Sequence, residues 1–131
     1  MREKIDQDRH FHDNNFMNNL KNLISLAHEV VPKISCKEFT ANQKQFLIID
    51  VREGNEIKET GTIAGALNIP RGLIEMKLVP GSDGLNANTP IVVYCGGGSR
   101  ASLAGKTLKE IGFSDVQNLE GGFRGWKEFS S

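Results

Sequence analysis

The chain has 131 residues, enough for one domain that buries a core without disulfide or metal staples. Sixteen Lys and Arg balance sixteen Asp and Glu, which argues against nucleic acid or an anionic membrane as the main partner, because non-specific binding to either rests on excess positive charge. The two cysteines, Cys36 and Cys95, are too few for a disulfide framework and lack the Cys-x-x-Cys or Cys/His spacing of a zinc site, so a reducing compartment and no metal are expected.

Residues 1 to 13 are polar, with His10 and His12 among acids and amides, and read as a frayed end. Met1-Arg2-Glu3-Lys4-Ile5-Asp6 is mixed in charge with no apolar run behind it, and no segment reaches the length of a membrane span; a cytoplasmic protein is the expectation. From Asn14, the apolar residues Phe16, Leu20, Leu23, Ile24, Ala27 and Val31 recur at three- and four-residue intervals, which predicts an amphipathic helix stopped by Pro32. Its inner face would cover the domain; a dimer contact is the alternative. The chain thus divides into 1–31, a polar tail with that helix, and 32–131, the domain proper.

Ile34 fits a very short strand, and Ser35-Cys36-Lys37-Glu38 has the capping-box spacing that opens a short helix reaching Asn42, with Cys36 structural. Phe46-Leu47-Ile48-Ile49-Asp50-Val51 is a near-continuous apolar run, the mark of a strand buried on both faces of a parallel sheet. Further strands are predicted at Ala66–Ile69, Ile91–Tyr94 and Val116–Leu119, with a short helix around Leu73–Leu78 and a longer one from Ala101 to Ile111, capped by Gly112 and Phe113. The alternation is that of an α/β domain.

The strand at 91–94 runs straight into Cys95-Gly96-Gly97-Gly98-Ser99-Arg100 and then into the longer helix. Three glycines strip the turn of side chains, so backbone N–H groups can face inward, and the helix adds the positive end of its dipole. Thiols placed at a helix N-terminus beside a cation ionise readily and are nucleophilic, whereas a cysteine in an apolar core is inert. Cys95 is therefore read as a nucleophile, with Gly96, Gly97, Gly98, Ser99 and Arg100 as its anion-binding turn; Ser99 also fits the role of helix cap. In an open parallel sheet, ligands gather beyond the carboxyl ends of the strands, which brings Asp50, Arg52, Arg71 and Glu120-Gly121-Gly122 to the same rim. Asp50 with Arg52 reads foremost as a structural ion pair, and Arg71 with Glu75 as an i, i+4 pair.

Two phosphate-binding motifs compete with this reading. Gly105-Lys106-Thr107 resembles the end of a Walker A loop, but the glycine required five residues earlier is Arg100. Gly96-x-Gly98-x-x-Ala101 matches the dinucleotide fingerprint, with Glu120 as a ribose partner, yet only one strand and a short tail follow, and Cys95 is left unused.

Four segments in register, Asp50-Val51-Arg52-Glu53, Gly61 to Gly72, Val93 to Arg100 and Leu119 to Trp126, make the region from Ile34 to Phe129 resemble the single-domain rhodaneses, which are sulfurtransferases. The resemblance implies a rhodanese-like three-layer α/β domain, a mainly parallel sheet of about five short strands flanked by helices, here with an extra N-terminal amphipathic helix. It implies that Cys95 carries a persulfide, that residues 96–100 bind the donor, and that Asp50, Arg52 and Arg71 stand in a supporting shell. Thiosulfate or another small anionic sulfane donor would load Cys95; a thiol, cyanide or a partner protein would unload it, with no metal or organic cofactor. The alternative is a sulfur carrier or a non-catalytic binding module. Related phosphatases and arsenate reductases resemble Cys-x5-Arg, whereas Cys95 to Arg100 is Cys-x4-Arg, a shorter loop that favours sulfur over phosphorus. Two departures stand out: Thr62 where the family commonly has histidine, and Gly96 or Gly97 where a basic or polar residue is frequent, leaving Arg100 as the loop's only cation.

Overall fold

Leu47-Ile48-Ile49 and Ile91-Val92-Val93-Tyr94 offer no polar face to water, so a sheet built from them has to be covered on both sides. The computed structural model describes residues 18–131 and shows that arrangement. In chain order it runs through α1 (18–30), β1 (Lys33–Ile34), α2 (Cys36–Ala41), β2 (Leu47–Asp50), α3 (Gly54–Thr60), β3 (Leu67–Asn68), α4 (Ile74–Lys77), β4 (Ile91–Tyr94), α5 (Ser99–Glu110), β5 (Val116–Leu119) and α6 (Gly122–Ser130). The sheet has the order β1-β5-β4-β2-β3, and every pairing is parallel. All carboxyl ends therefore lie on one rim.

Alternate residues of the central strands enter two separate cores. Ile49, Val51, Ile91, Val93 and Cys95 pack with Ile74, Ala101, Ala104 and Leu108 on the face covered by α4 and α5. Ile48, Val92 and Tyr94 point the other way, among Phe39, Ile63 and Phe123, with Trp126 packed against them from α6. The period of two survives inside apolar runs that show none in the sequence, because both faces are buried.

Local chemistry sets the element ends. Ser35 caps α2 by accepting a hydrogen bond from the Glu38 amide at 3.1 Å, which is half of the expected capping box; the Glu38 carboxylate accepts from the Ser35 hydroxyl at 3.2 Å. After α5, the amide of Gly112 donates to Lys109 O at 3.1 Å and that of Phe113 to Leu108 O at 3.0 Å, a Schellman stop that requires the positive φ of Gly112.

The N-terminal helix departs from the expected inner face. Ala27 and Val31 are buried and Ile24 is half-buried, but Leu23 is 50 % exposed. Just past the end of α1, Val31 packs onto α5 at Gly105, where an added Cβ would lie 2.9 Å from Val31 Cγ1. That glycine serves close helix packing, and no phosphate loop is built around it. The expected start of the helix at Asn14, Phe16 on its inner face, and the histidines of the tail lie outside the described residues.

Candidate active site

β4 delivers Cys95 to the rim, where its side chain ends in the α5-side core and the residue is only 1 % exposed. The turn then reverses around the sulfur. Gly98 adopts φ 127°, a conformation only glycine takes readily, and its amide donates to Cys95 Sγ at 3.0 Å. The amide of Ala101, in the first turn of α5, donates to the same sulfur at 3.4 Å. Two N–H donors and a helix N-terminus thus converge on one sulfur atom, an arrangement that favours negative charge there.

The carbonyls of the turn are held from behind. Gly98 O accepts from Ser102 N and Ser102 Oγ, each at 2.9 Å, and from Asn118 Nδ2 at 3.2 Å. Cys95 O accepts from Phe123 N at 2.7 Å and Gly96 O from Arg124 N at 3.3 Å, so the start of α6 is seated directly on the loop. These three carbonyls are turned outward to partners, while the amides of Gly98 and Ala101 face the sulfur. Gly122 makes the seating steric as well: a Cβ there would lie 2.6 Å from Cys95 O and 2.7 Å from Gly96 O.

Arg100 does not stand free beside the sulfur. Its Nη1 and Nη2 donate to Glu56 Oε1 and Oε2 at 2.6 and 3.0 Å, a fork that ties the loop to α3. Those bonds are the main reason that the Glu56 carboxyl falls from 4.5 to about 2, and the same pair holds the guanidinium more firmly protonated. Glu56 also accepts from the Glu53 amide at 3.1 Å, closing a capping box at the start of α3.

Asp50 and Arg52 form a buried pair behind the loop, 0 % and 2 % exposed. Arg52 Nη2 donates to Asp50 Oδ2 at 2.8 Å and to Gly61 O at 2.9 Å, Nη1 donates to Thr60 Oγ1 at 2.8 Å, and the guanidinium lies 4.2 Å from the Phe123 ring centroid. Burial alone would push the Asp50 carboxyl up, but the hydrogen bonds from Arg52 outweigh it and the net shift is downward. Thr62 Oγ1 donates to Asp50 Oδ2 at 3.0 Å, which leaves the Tyr94 hydroxyl to donate to Thr62. Burial, above all, pushes that phenol up to about 12. Thr62, itself exposed, is therefore a link in a polar network joining buried Asp50 at the end of β2 to buried Tyr94 at the end of β4.

The remaining candidates separate from the loop. Arg71 donates to Glu75 at 3.0 Å, the expected i, i+4 pair, and to Thr107 Oγ1 at 3.0 Å. Thr107 is eight residues into α5 from Ser99, which puts that contact about 12 Å along the helix from the loop at 1.5 Å rise per residue. Ser99 does not cap α5: the cap position is Gly98, and Ser99 is the first helical residue. Burial and the Glu120 charge raise the Cys36 thiol, whose Sγ lies 3.8 Å from Glu120 O. Beside the loop, a hollow of about 90 Å³ is lined by His28, Lys33, Gly97, Gly98, Ser99 and Asn118 through Gly121. Cys95 does not line it, and it is smaller than the several hundred Å³ of a typical ligand pocket. Larger hollows, about 810 and 390 Å³, lie at residues 40–48 with 64–65 and at 47 with 67–85, away from Cys95.

Sequence reasoning gave no role to Glu56, Asn118 or Arg124. Glu56 offered only a weak signal, an acid three residues past Glu53; the other two reach the loop from elements far along the chain.

Comparison with known proteins agrees with this geometry. The family model for the rhodanese-like domain matches residues 35–129. Thiosulfate sulfurtransferase GlpE of Shewanella oneidensis is 35% identical over 101 residues, covering 72% of this chain and 95% of that protein. A putative sulfur carrier protein, YrkF of Bacillus subtilis, is 34% identical over 99 residues; the match takes in 73% of this chain and about half, 51%, of the carrier. A solved structure from Rhodopseudomonas palustris, RPA3614, a protein of unknown function described as a possible tyrosine phosphatase, has TM-score 0.75 at 28% identity, covering 86% of this chain and 91% of that one. With the family model spanning most of its length and a parallel sheet that presents Cys95 in an amide-lined turn, the chain belongs to the rhodanese-like domain family.

Proposed function

We propose that this protein is a sulfurtransferase that moves sulfane sulfur from thiosulfate, or a related persulfide or polysulfide, to a thiol or cyanide through a persulfide on Cys95. The observation that carries the reading is the pair of amides, from Gly98 and Ala101, donating to Cys95 Sγ at 3.0 and 3.4 Å. In the first half-reaction the Cys95 thiolate attacks the outer sulfur of thiosulfate, an S–S bond forms, the old S–S bond breaks, and sulfite leaves with its electron pair. In the second, the acceptor attacks the terminal sulfur and the thiolate departs, free to react again. Both steps conserve charge and neither needs a proton relay. The same amides serve thiolate and persulfide alike, electrostatic preorganisation that costs no rearrangement between half-reactions.

The Cys-x4-Arg spacing of residues 95–100 supports sulfur over phosphoryl chemistry, as the shorter loop leaves less room around a tetrahedral phosphate. Incubation with thiosulfate should add the mass of one sulfur atom to the intact protein and none to Cys95→Ser. Absence of that gain with thiosulfate, polysulfide and glutathione persulfide would remove the proposal. A second reading, a carrier that receives sulfur from a partner protein, is favoured by one observation: Arg100 is already paired with Glu56, which leaves a weak charge on the loop itself for free anions. Slow turnover with small donors but rapid persulfide exchange with a partner would select it.

A further inference from the structure

Of the three loop positions that carry no side chain, two have a guanidinium standing over them. A Cβ on Gly96 would lie 3.5 Å from Arg100 Nη2, and a Cβ on Gly97 would lie 3.7 Å from Arg124 Nη2. The two cations are not equivalent. Arg100 is neutralised by a bidentate bond to Glu56, whereas Arg124 makes no ion pair with any described residue. Gly97 is exposed, and so is Arg124, so this guanidinium meets solvent where a donor approaches the turn. Its backbone is fixed relative to the sulfur, because Arg124 N donates to Gly96 O and the preceding amide, Phe123 N, donates to Cys95 O. On the other flank Lys33 and His28 line the small hollow against Gly97–Ser99, opposed there by Glu120.

We propose that Arg124 is the specificity-determining residue for anionic sulfur donors, its guanidinium over Gly97 supplying from α6 the charge that the glycine loop lacks. The assignment rests on the sulfur-transfer reading and adds the chemical class of donor: anions such as thiosulfate in preference to neutral polysulfides. A long-range cation also accelerates encounter with a dianion more than with a neutral molecule.

The test compares second-order rates of Cys95 modification, read by intact mass, for thiosulfate, which adds one sulfur atom and releases sulfite, and for neutral dimethyl trisulfide, which adds a methylthio group and releases methyl persulfide anion. Arg124→Gln should lower the thiosulfate-to-trisulfide rate ratio about fivefold, the upper end for an exposed ion pair. Arg124→Lys should recover most of it, and the double variant Arg124→Gln/Gly97→Lys, which puts the charge on the loop itself, should recover it as well. An unchanged ratio in Arg124→Gln, or no recovery in either lysine variant, overturns the proposal. If the wild type loads from neither donor, the sulfur-transfer reading fails by itself. Arg124 is then judged by alkylation of Cys95: the iodoacetate-to-iodoacetamide rate ratio should fall about fivefold in Arg124→Gln, and an unchanged ratio refutes the assignment.

Discussion

The seating of α6 on the loop predicts that Gly122→Ala damages both stability and sulfur loading, and Gly65→Ala provides the control. Both glycines have positive φ, 60° and 86°, so alanine at either costs about 1–2 kcal/mol of backbone strain. At Gly65 nothing lies within 4 Å of the new methyl, and the cost should end there. At Gly122 the methyl falls 2.6 Å from Cys95 O, 2.7 Å from Gly96 O and 2.9 Å from Gly96 C, all of them backbone atoms that cannot rotate aside. Relief requires α6 and the loop to part, which lengthens the 2.7 Å bond from Phe123 N to Cys95 O and the 3.3 Å bond from Arg124 N to Gly96 O. At about 1 kcal/mol for each hydrogen bond, Gly122→Ala should lose about 3–4 kcal/mol. Urea unfolding followed by circular dichroism measures both variants, and a gap of about 2 kcal/mol between them is the expected result. The displaced carbonyls belong to the Cys95–Gly96 and Gly96–Gly97 peptide planes, which lead directly into the Gly98 amide that donates to the sulfur; a shift passed along that turn should slow persulfide loading about tenfold, the effect of losing roughly 1.4 kcal/mol of stabilisation at the reacting sulfur. A Gly122→Ala protein within 0.5 kcal/mol of Gly65→Ala, a margin set by the accuracy of such comparisons, and loading at the wild-type rate would refute the argument.

Two further predictions concern charge. Asp50→Asn leaves the Arg52 guanidinium buried without its counter-ion, and should cost about 3–5 kcal/mol in denaturant unfolding; an unchanged midpoint would mean that the pair contributes no net stability. Glu56 has a depressed carboxyl, about 2 against an ordinary 4.5, so its contribution is present above pH 4.5 and is lost as pH falls toward 2. Both partners are at least a third exposed, 34 % for Glu56 and 41 % for Arg100, which limits that contribution to about 1 kcal/mol. The stability difference between wild type and Glu56→Gln should therefore be flat near neutral pH and vanish toward pH 2; a difference that persists there would assign it to something other than ionisation.

What the sequence exposes and what it conceals divide along contact range. The strands at 47–50 and 91–94 are legible because a parallel sheet buried on both faces demands unbroken apolar runs, and the end of α5 is legible because Gly112 is needed for a Schellman stop. The loop chemistry is legible for the same local reason: thiol, glycines and arginine are contiguous. Helix α3 is obscured by Gly54 and Asn55 at its start, residues of poor helix propensity held by the Glu53–Glu56 capping box. Ser99 is misread as a cap because the turn itself consumes Gly98 for that position. Leu23 shares the apolar period of α1 but is left exposed, since the burial of that segment falls on Ala27 and Val31, the latter packed against Gly105. The support of the loop, from Glu56, Asn118 and Arg124, depends on which elements the sheet order brings together, and no local pattern records that.

The loop also shows why a run of glycines can be rigid. Each glycine costs about 0.5–1 kcal/mol more to order than alanine, so residues 96–98 enter the fold with a deficit of about 1.5–3 kcal/mol. Against it stand hydrogen bonds to all the carbonyls that matter: Cys95 and Gly96 are capped by α6, and Gly98 by Ser102 and Asn118. At about 1 kcal/mol each, these offset the deficit and fix the amide directions as well. The same three glycines leave residues 96–98 without a charge of their own. Charge for recognition then has to come from neighbouring elements, where it can be set independently of loop geometry: Glu56 on α3 cancels one guanidinium, and the one on α6 is left uncancelled among the described residues. On the proposed sulfur-transfer reading, substitution on α3 or α6 should change donor preference in this chain without altering the turn that holds the sulfur.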